Sequence, residues 1–202
     1  MTLDQYRSVA DRALGPFVSV AKALGLTPNG VSALAFALSV AAGGVFYLAG
    51  QRPLLYGVGA VLVFANGWLD LVDGALAREL DVASAGGDLL DHVLDRYADI
   101  VMLVGLAAGI GRYDLGLAAV TGVLMTSYLG TQAQAVDLDR VYGGLLGRAD
   151  RLALIGIVGA VATVLTQSFQ GLTVVGWLLV VFAVVGHLTA LQRFYYAMRA
   201  LS

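Results

Sequence analysis

The chain has 202 residues, 59% of them hydrophobic and only 13% charged, with a formal net charge of −2 and no cysteine. This balance excludes a basic nucleic-acid footprint, a disulfide scaffold and thiolate chemistry. The apolar stretches between charged clusters are long enough to cross a bilayer, so the composition reads as an integral membrane protein.

The opening residues, MTLDQYRSVADRALG, spread charge through an amphipathic pattern without an apolar core or small-residue cleavage site, so no cleaved signal peptide is expected. Leu3 to Leu24 reads as an amphipathic helix lying along the membrane surface, with Asp4, Arg7, Asp11, Arg12 and Lys22 around an apolar stripe. Thr27-Pro28-Asn29 then breaks the chain and offers a cap for a first span, Val31 to Ala49. After the Gln51-Arg52-Pro53 turn, a second span runs from Leu54 to about Ala77 and a third from Asp88 to Ile110, with the polar stretch Glu79 to Gly86 between them. Gly111 to Asp114 turns the chain again, and further spans follow at Leu115 to about Val136, Leu152 to Gln167 and Leu172 to about Tyr195. The expected fold is therefore all-α: a single domain over 1–202, with 1–26 a juxtamembrane surface helix and 27–202 a bundle of about six transmembrane helices. With the N-terminus inside, Arg7, Arg12, Lys22, Arg78, Arg140, Arg148, Arg151, Arg193 and Arg199 all lie on the cytoplasmic side, against only Arg52 and Arg112 opposite. That asymmetry predicts cytoplasmic termini and an active site opening to the cytoplasm. Gly43, Gly44, Gly57, Gly59, Gly156 and Gly159 suit close helix packing in lipid.

The run DLVDGALARELDVASAGGDLLDHVLD, Asp70 to Asp95, is the chemical centre of the sequence. A charged side chain mid-membrane costs about 2.5 to 3.5 kcal/mol on translocon-type scales, so four unpaired carboxylates would cost on the order of 10 kcal/mol. A cation must hold them. Asp70 and Asp73 are three apart and Asp91 and Asp95 four apart, so each pair shares a helix face. If the two helices are antiparallel neighbours, four carboxylates converge at one depth. An all-oxygen set favours a hard cation, Mg2+ or Mn2+, and the number of carboxylates points to two ions.

Asp70, Asp73, Gly74, Ala77, Arg78, Gly87, Asp91 and Asp95 together resemble the signature of the CDP-alcohol phosphotransferases, membrane enzymes that build phospholipids from CDP-activated lipids. At roughly a twentieth per position, a chance match to eight fixed places is about 1 in 10^10 per starting point. The resemblance implies attack by an acceptor hydroxyl on the lipid-side phosphorus of a CDP-lipid, with CMP leaving. It implies metal ligation by Asp70, Asp73, Asp91 and Asp95, with Asp95 also the candidate general base. It places Gly74, Ala77 and Arg78 on the CDP moiety, with Asp81, Ser84 and Gly87 close by. Asp88 is balanced between the metal-facing side and a helix cap. The donor is a diacyl or archaeal ether CDP-lipid, the acceptor a small polar alcohol such as glycerol phosphate or inositol phosphate, and assembly as a homodimer is implied by analogy.

In relatives that use inositol phosphate, the fourth helix ends in basic residues; here Gly130 and Gln132 stand in their place, which weighs against that acceptor. GRADRL resembles the Arg-containing loop that follows, leaving Arg148 and Arg151, with Arg193 beyond, as candidates for an acceptor-phosphate pocket. These arginines read equally as topology-setting charges. Arg96 and Asp99, three apart, are expected to neutralise one another; His92 and His187 read as hydrogen-bonded packing residues, and Trp68, Trp177, Tyr195 and Tyr196 as interface anchors or packing. The bland reading of the Asp cluster is a structural salt-bridge network or an ion pathway. Two other functions compete: an intramembrane prenyltransferase, which would carry two separated Asp-rich motifs, and a cation transporter, for which repeated halves with broken helices are missing here.

Overall fold

The computed structural model describes residues 7–138 and 145–202, which form seven α-helices. These are α1 (Arg7–Ala23), α2 (Pro28–Ala49), α3 (Leu54–Glu79), α4 (Ala85–Gly109), α5 (Tyr113–Gln132), α6 (Arg148–Ala162) and α7 (Val174–Leu201), with one 3-10 turn at Gln134–Val136. The expected starts at Leu3 and the side of Arg140 fall outside the described residues.

Local chemistry sets the boundaries. The Thr27 hydroxyl accepts the Gly30 N–H at 3.1 Å and starts α2, as the Thr-Pro-Asn pattern predicts. α4 begins at Ala85, three residues before the expected Asp88, because the Ser84 hydroxyl accepts the Gly87 N–H at 3.1 Å and draws the glycine pair into the first turn. α6 begins at Arg148 rather than Leu152: the Asp150 carboxylate accepts the Gly147 N–H at 2.8 Å, so what reads as a loop is the helix's first turn. α6 also stops at Ala162, and an isolated bridge between Phe169 and Leu172 tightens the connection to α7.

The bundle is organised around α2, which packs against both α3 and α4, while α5 pairs with α7 and α6 lies on α3. The main core gathers Phe46, Met102, Leu103, Leu106, Ile155, Leu179 and Phe182 from four helices. A second, smaller core seats α1: Leu14, Val18 and Ala21 bury against Val31, Val72 and Leu76, and Phe17 meets Trp68 edge-on at 5.0 Å. That assigns Trp68 to packing, and the Trp177 indole N–H donates to the Phe169 carbonyl at 3.1 Å. His187 reaches the Thr121 hydroxyl at 3.4 Å, a hydrogen-bonded residue as expected.

Among the described residues three helices, α2, α3 and α7, are long and apolar enough to cross a membrane. The six expected spans do not all qualify alone: α4 carries Asp88, Asp91, Asp95, Arg96 and Asp99 in its first four turns, and α6 has 15 residues, roughly 22 Å at 1.5 Å per residue. Exposed Leu34, Tyr47, Leu54, Val61, Phe64, Val184 and Leu191 coat the outside of the three long helices. Such a surface suits hydrocarbon rather than water. The molecule is a membrane protein.

The glycines serve contacts inside this chain. A Cβ on Gly105 would overlap the Gly43 carbonyl and lie 2.7 Å from its Cα, so α2 and α4 touch backbone to backbone. Gly59 faces the Phe46 ring and Gly156 the Phe64 ring, while Gly44 faces open space. Gly105→Ala is expected to destabilise the protein by about 1–3 kcal/mol, the usual range for overpacking, with Gly44→Ala near neutral; thermal unfolding in detergent checks the pair.

Candidate active site

α2 packs on both α3 and α4, and so brings the C-terminal part of α3 within side-chain reach of the N-terminal half of α4, the two being joined by the turn Leu80 to Ser84. Asp70, Asp91 and Asp95 converge there, each offering a carboxylate oxygen within 4.8 Å of the others. Asp73, expected in the same volume, sits on its edge: buried to 6% exposure, it accepts the Ser32 hydroxyl at 2.6 Å. The structure thus gathers three carboxylates and holds the fourth on α2.

Asp73 faces a cleft of about 490 Å³. Gly74, Ala77, Arg78, Ser84 and Gly87 line it, as does Asp91, which also lines the carboxylate pocket. Asp91 and Ser32 line both spaces, and the two meet there. A Cβ on Gly87 would lie 3.3 Å from the Ser84 hydroxyl and 3.5 Å from the Asn29 amide oxygen, so glycine keeps this wall thin. Asp81 is exposed in a left-handed conformation (φ 53°), and its neighbours Leu80 and Val82, not Asp81, form the cleft wall. Asp88 lines the cleft rim but does not cap α4, since Ser84 does; its carbonyl contacts the His92 ring at 2.7 Å. The opposite wall, Thr27, Pro28, Asn29 and Ser32, was not expected. Its sequence signal is only a helix start, which does not reveal what the start faces.

The cations lie on the inner side of the cluster. The Arg148 guanidinium pairs with both Asp70 and Asp95, and Arg96 reaches Asp95 at 3.4 Å. Arg96 acts on Asp99 electrostatically, as expected, but the direct partner is another: Asp99, 1% exposed, is held by Arg151 of α6 at 2.8 Å, because α6 packs its first turn on this region. Arg193 of α7 is buried and donates to the Thr126 carbonyl of α5 at 2.7 Å. The three arginines expected at an acceptor site therefore divide between the carboxylates and the α5–α7 seam. Five carboxylates (Asp70, Asp73, Asp91, Asp95 and Asp99) against three guanidiniums (Arg96, Arg148 and Arg151) leave a formal charge of −2, which one divalent cation balances. The donor set is all oxygen, and a buried amide oxygen of Asn66, without a hydrogen-bond partner among the described residues, belongs to the same pocket. Those residues fit Mg2+ or Mn2+.

Residues 25–189 match the family described as CDP-alcohol phosphatidyltransferase. The chain belongs to this family. Among its relatives are the archaetidylinositol phosphate synthases of Methanothermobacter thermautotrophicus, 30% identical over 98% of this chain and 95% of that protein, and of Pyrococcus horikoshii, 31% identical over 88% and 87%. The crystal structure of Mycobacterium tuberculosis phosphatidylinositol phosphate synthase with CDP-DAG bound superimposes with a TM-score of 0.78 at 25% identity, covering 92% of this chain and 94% of that one. The same mycobacterial enzyme has been solved in complex with manganese and citrate, again with a TM-score of 0.78. A CDP-alcohol phosphatidyltransferase is a transferase of phospholipid biosynthesis, and membership decides against the prenyltransferase and transporter readings.

Proposed function

We propose that this phosphatidyltransferase moves a phosphatidyl-type group, diacyl or archaeal ether-linked, from a CDP-lipid to a phosphorylated polyol and releases CMP. The observation that carries the reading is Asp91, shared by a carboxylate cluster and an adjoining cleft whose walls are the small and cationic residues of the motif. Gly74 and Ala77 give a flat wall on which a cytidine ring can rest, and Arg78 supplies a guanidinium for phosphate. Ser32 fixes the Asp73 carboxylate by its hydrogen bond, so that its other oxygen is presented to the cleft side. Asp70, Asp73, Asp91 and Asp95 would hold one divalent ion or two, which would supply charge neutralisation for the diphosphate and the departing CMP. The acceptor oxygen bonds to the lipid-side phosphorus as the phosphorus–oxygen bond to CMP breaks. Asp95, held between Arg148 and Arg96, is the carboxylate in place to take the acceptor's proton.

Inositol phosphate is favoured as acceptor by the names of the two archaeal relatives, while Gly130 and Gln132, standing where basic residues were expected, weigh against it and keep glycerol phosphate as the alternative. Of the three expected arginines, Arg148, at the cluster edge, is the cation assigned to the acceptor's phosphate, while Arg151 holds Asp99 and Arg193 donates to the Thr126 carbonyl. We read the chain as one domain that crosses the cell membrane six times, with the cleft and both termini on the cytoplasmic side; Lys22, Arg78, Arg148, Arg193 and Arg199 support this against Arg52 and Arg112. Homodimer assembly is proposed by family analogy alone.

The test is CMP release by purified protein with a CDP-lipid and Mg2+ or Mn2+, against inositol phosphate, glycerol phosphate, inositol and serine. Stimulation by one phosphorylated polyol, lost on chelation, is the expected result. Acceptor-independent turnover, or stimulation only by inositol or serine, would overturn the phosphorylated-acceptor assignment.

A further inference from the structure

Asn66 lies one helical turn before Asp70 on α3, so residues 66, 70 and 73 share a face. It is 1% exposed and lines the carboxylate pocket with Asp70, Asp91 and Asp95. Its amide is oriented by α2: Nδ2 donates to the Ala35 carbonyl at 2.9 Å and to the Ser39 hydroxyl at 3.0 Å. That assignment does not rest on an arbitrary choice of amide flip, because a backbone carbonyl can only accept and must face the nitrogen. The Ser39 hydroxyl proton goes to the same Ala35 carbonyl at 3.2 Å, so Ser39 must accept from Asn66 as well.

Both amide protons are thus committed to α2, and Oδ1 is left as the buried end with no hydrogen-bond partner among the described residues. The polar groups of the pocket it shares are the Asp70, Asp91 and Asp95 carboxylates, which have no proton to give when ionised, the Ser32 hydroxyl, which donates to Asp73, and the Arg148 guanidinium, which is engaged with Asp70 and Asp95. A buried amide oxygen without a donor, beside three carboxylates, is satisfied by a cation that the carboxylates share. We propose that Asn66 supplies a neutral oxygen to the metal centre, completing a set whose charged members are Asp70, Asp91 and Asp95. The inference rests on the metal-dependent reading above and adds a member that lies outside the Asp-Gly-Arg motif. A neutral donor also leaves the formal charge of the cluster at −2, where a sixth carboxylate would change it.

The experiment is Mn2+ binding to substrate-free protein in detergent, followed by electron paramagnetic resonance, with thermal unfolding of each variant alongside. Asn66→Leu is expected to weaken Mn2+ binding about tenfold or more, the usual loss when a supporting group of a metal site is removed. Ser39→Ala removes one of the two amide anchors, leaves Oδ1 in place, and is expected to bind Mn2+ as the unaltered protein does. Unchanged affinity in a folded Asn66→Leu protein would overturn the inference, as would equal weakening by Ser39→Ala, which would show a packing effect. Should Asn66→Leu fail to fold, Asn66→Asp decides: a carboxylate facing the ion must tighten Mn2+ binding, and unchanged affinity would overturn the proposal. Asp91→Asn separates the two levels. If it abolishes Mn2+ binding while Asn66→Leu does not weaken it, only the Asn66 inference fails; if the unaltered protein binds no Mn2+, the metal reading fails and this one with it.

Discussion

Asp91→Asn is expected to lower CMP release by at least about a thousandfold, equivalent to roughly 4 kcal/mol of transition-state stabilisation, while the protein stays folded. The substitution keeps shape and removes one negative charge at the point where the carboxylate cluster opens into the cleft. Because three carboxylate oxygens lie within 4.8 Å of one another there, losing one relieves like-charge repulsion in metal-free protein. Thermal stability without metal should therefore hold or rise, and the stabilisation that added Mn2+ gives should disappear. The measurement is a pair: CMP release under saturating CDP-lipid, and unfolding temperature with and without Mn2+. Near-normal turnover would remove Asp91 from the site. Lost turnover with an intact Mn2+ stabilisation would move its role from the metal to the nucleotide side of the junction.

How much of this was legible in the sequence differs by element, for physical reasons. Asp70, Asp73, Asp91 and Asp95 were legible because carboxylates in an apolar chain are costly and their helical offsets are short-range facts. Helix positions were legible to within a few residues from apolar runs and from the Thr27 and Ser84 caps. The α6 start was not, because GRADRL carries three charges in six residues and reads as a loop until Asp150 is seen to hold the Gly147 N–H. Long-range partners were not legible either. Arg96 and Asp99 have ideal local spacing, yet Arg151, 52 residues from Asp99 along the chain, takes that carboxylate, since α6 delivers a guanidinium into the bundle. Ser32 and Asn66 were missed for the same reason. A serine and an asparagine in apolar helices carry no periodic signal, and only the packing of α2 on α3 shows that one orients Asp73 and the other faces the cluster.

Arg151→Ala is expected to be the most destabilising single change among the charged residues of this region, by about 3–5 kcal/mol, because it leaves Asp99 buried without its partner. Asp99 is 1% exposed and Arg151 4% exposed, so neither charge can turn to water. For a chain of this length that loss corresponds to a fall in unfolding temperature on the order of 10 °C. The double variant Asp99→Leu with Arg151→Met replaces the buried pair by apolar groups of similar bulk and is expected to recover most of the stability, since much of the single-variant loss is the stranded charge rather than the pair's net worth. The same two proteins decide what Arg151 does in catalysis. If it acts by holding Asp99 and through it the first turn of α6, the double variant keeps the KM for the phosphorylated acceptor within a few-fold of the original. If its guanidinium binds the acceptor's phosphate, the double variant folds but its acceptor KM rises sharply with the CDP-lipid KM unchanged. The geometry favours the first outcome: the Arg151 guanidinium pairs with Asp99, and it is Arg148, three residues earlier on the same face of α6, that reaches the carboxylates lining the metal pocket.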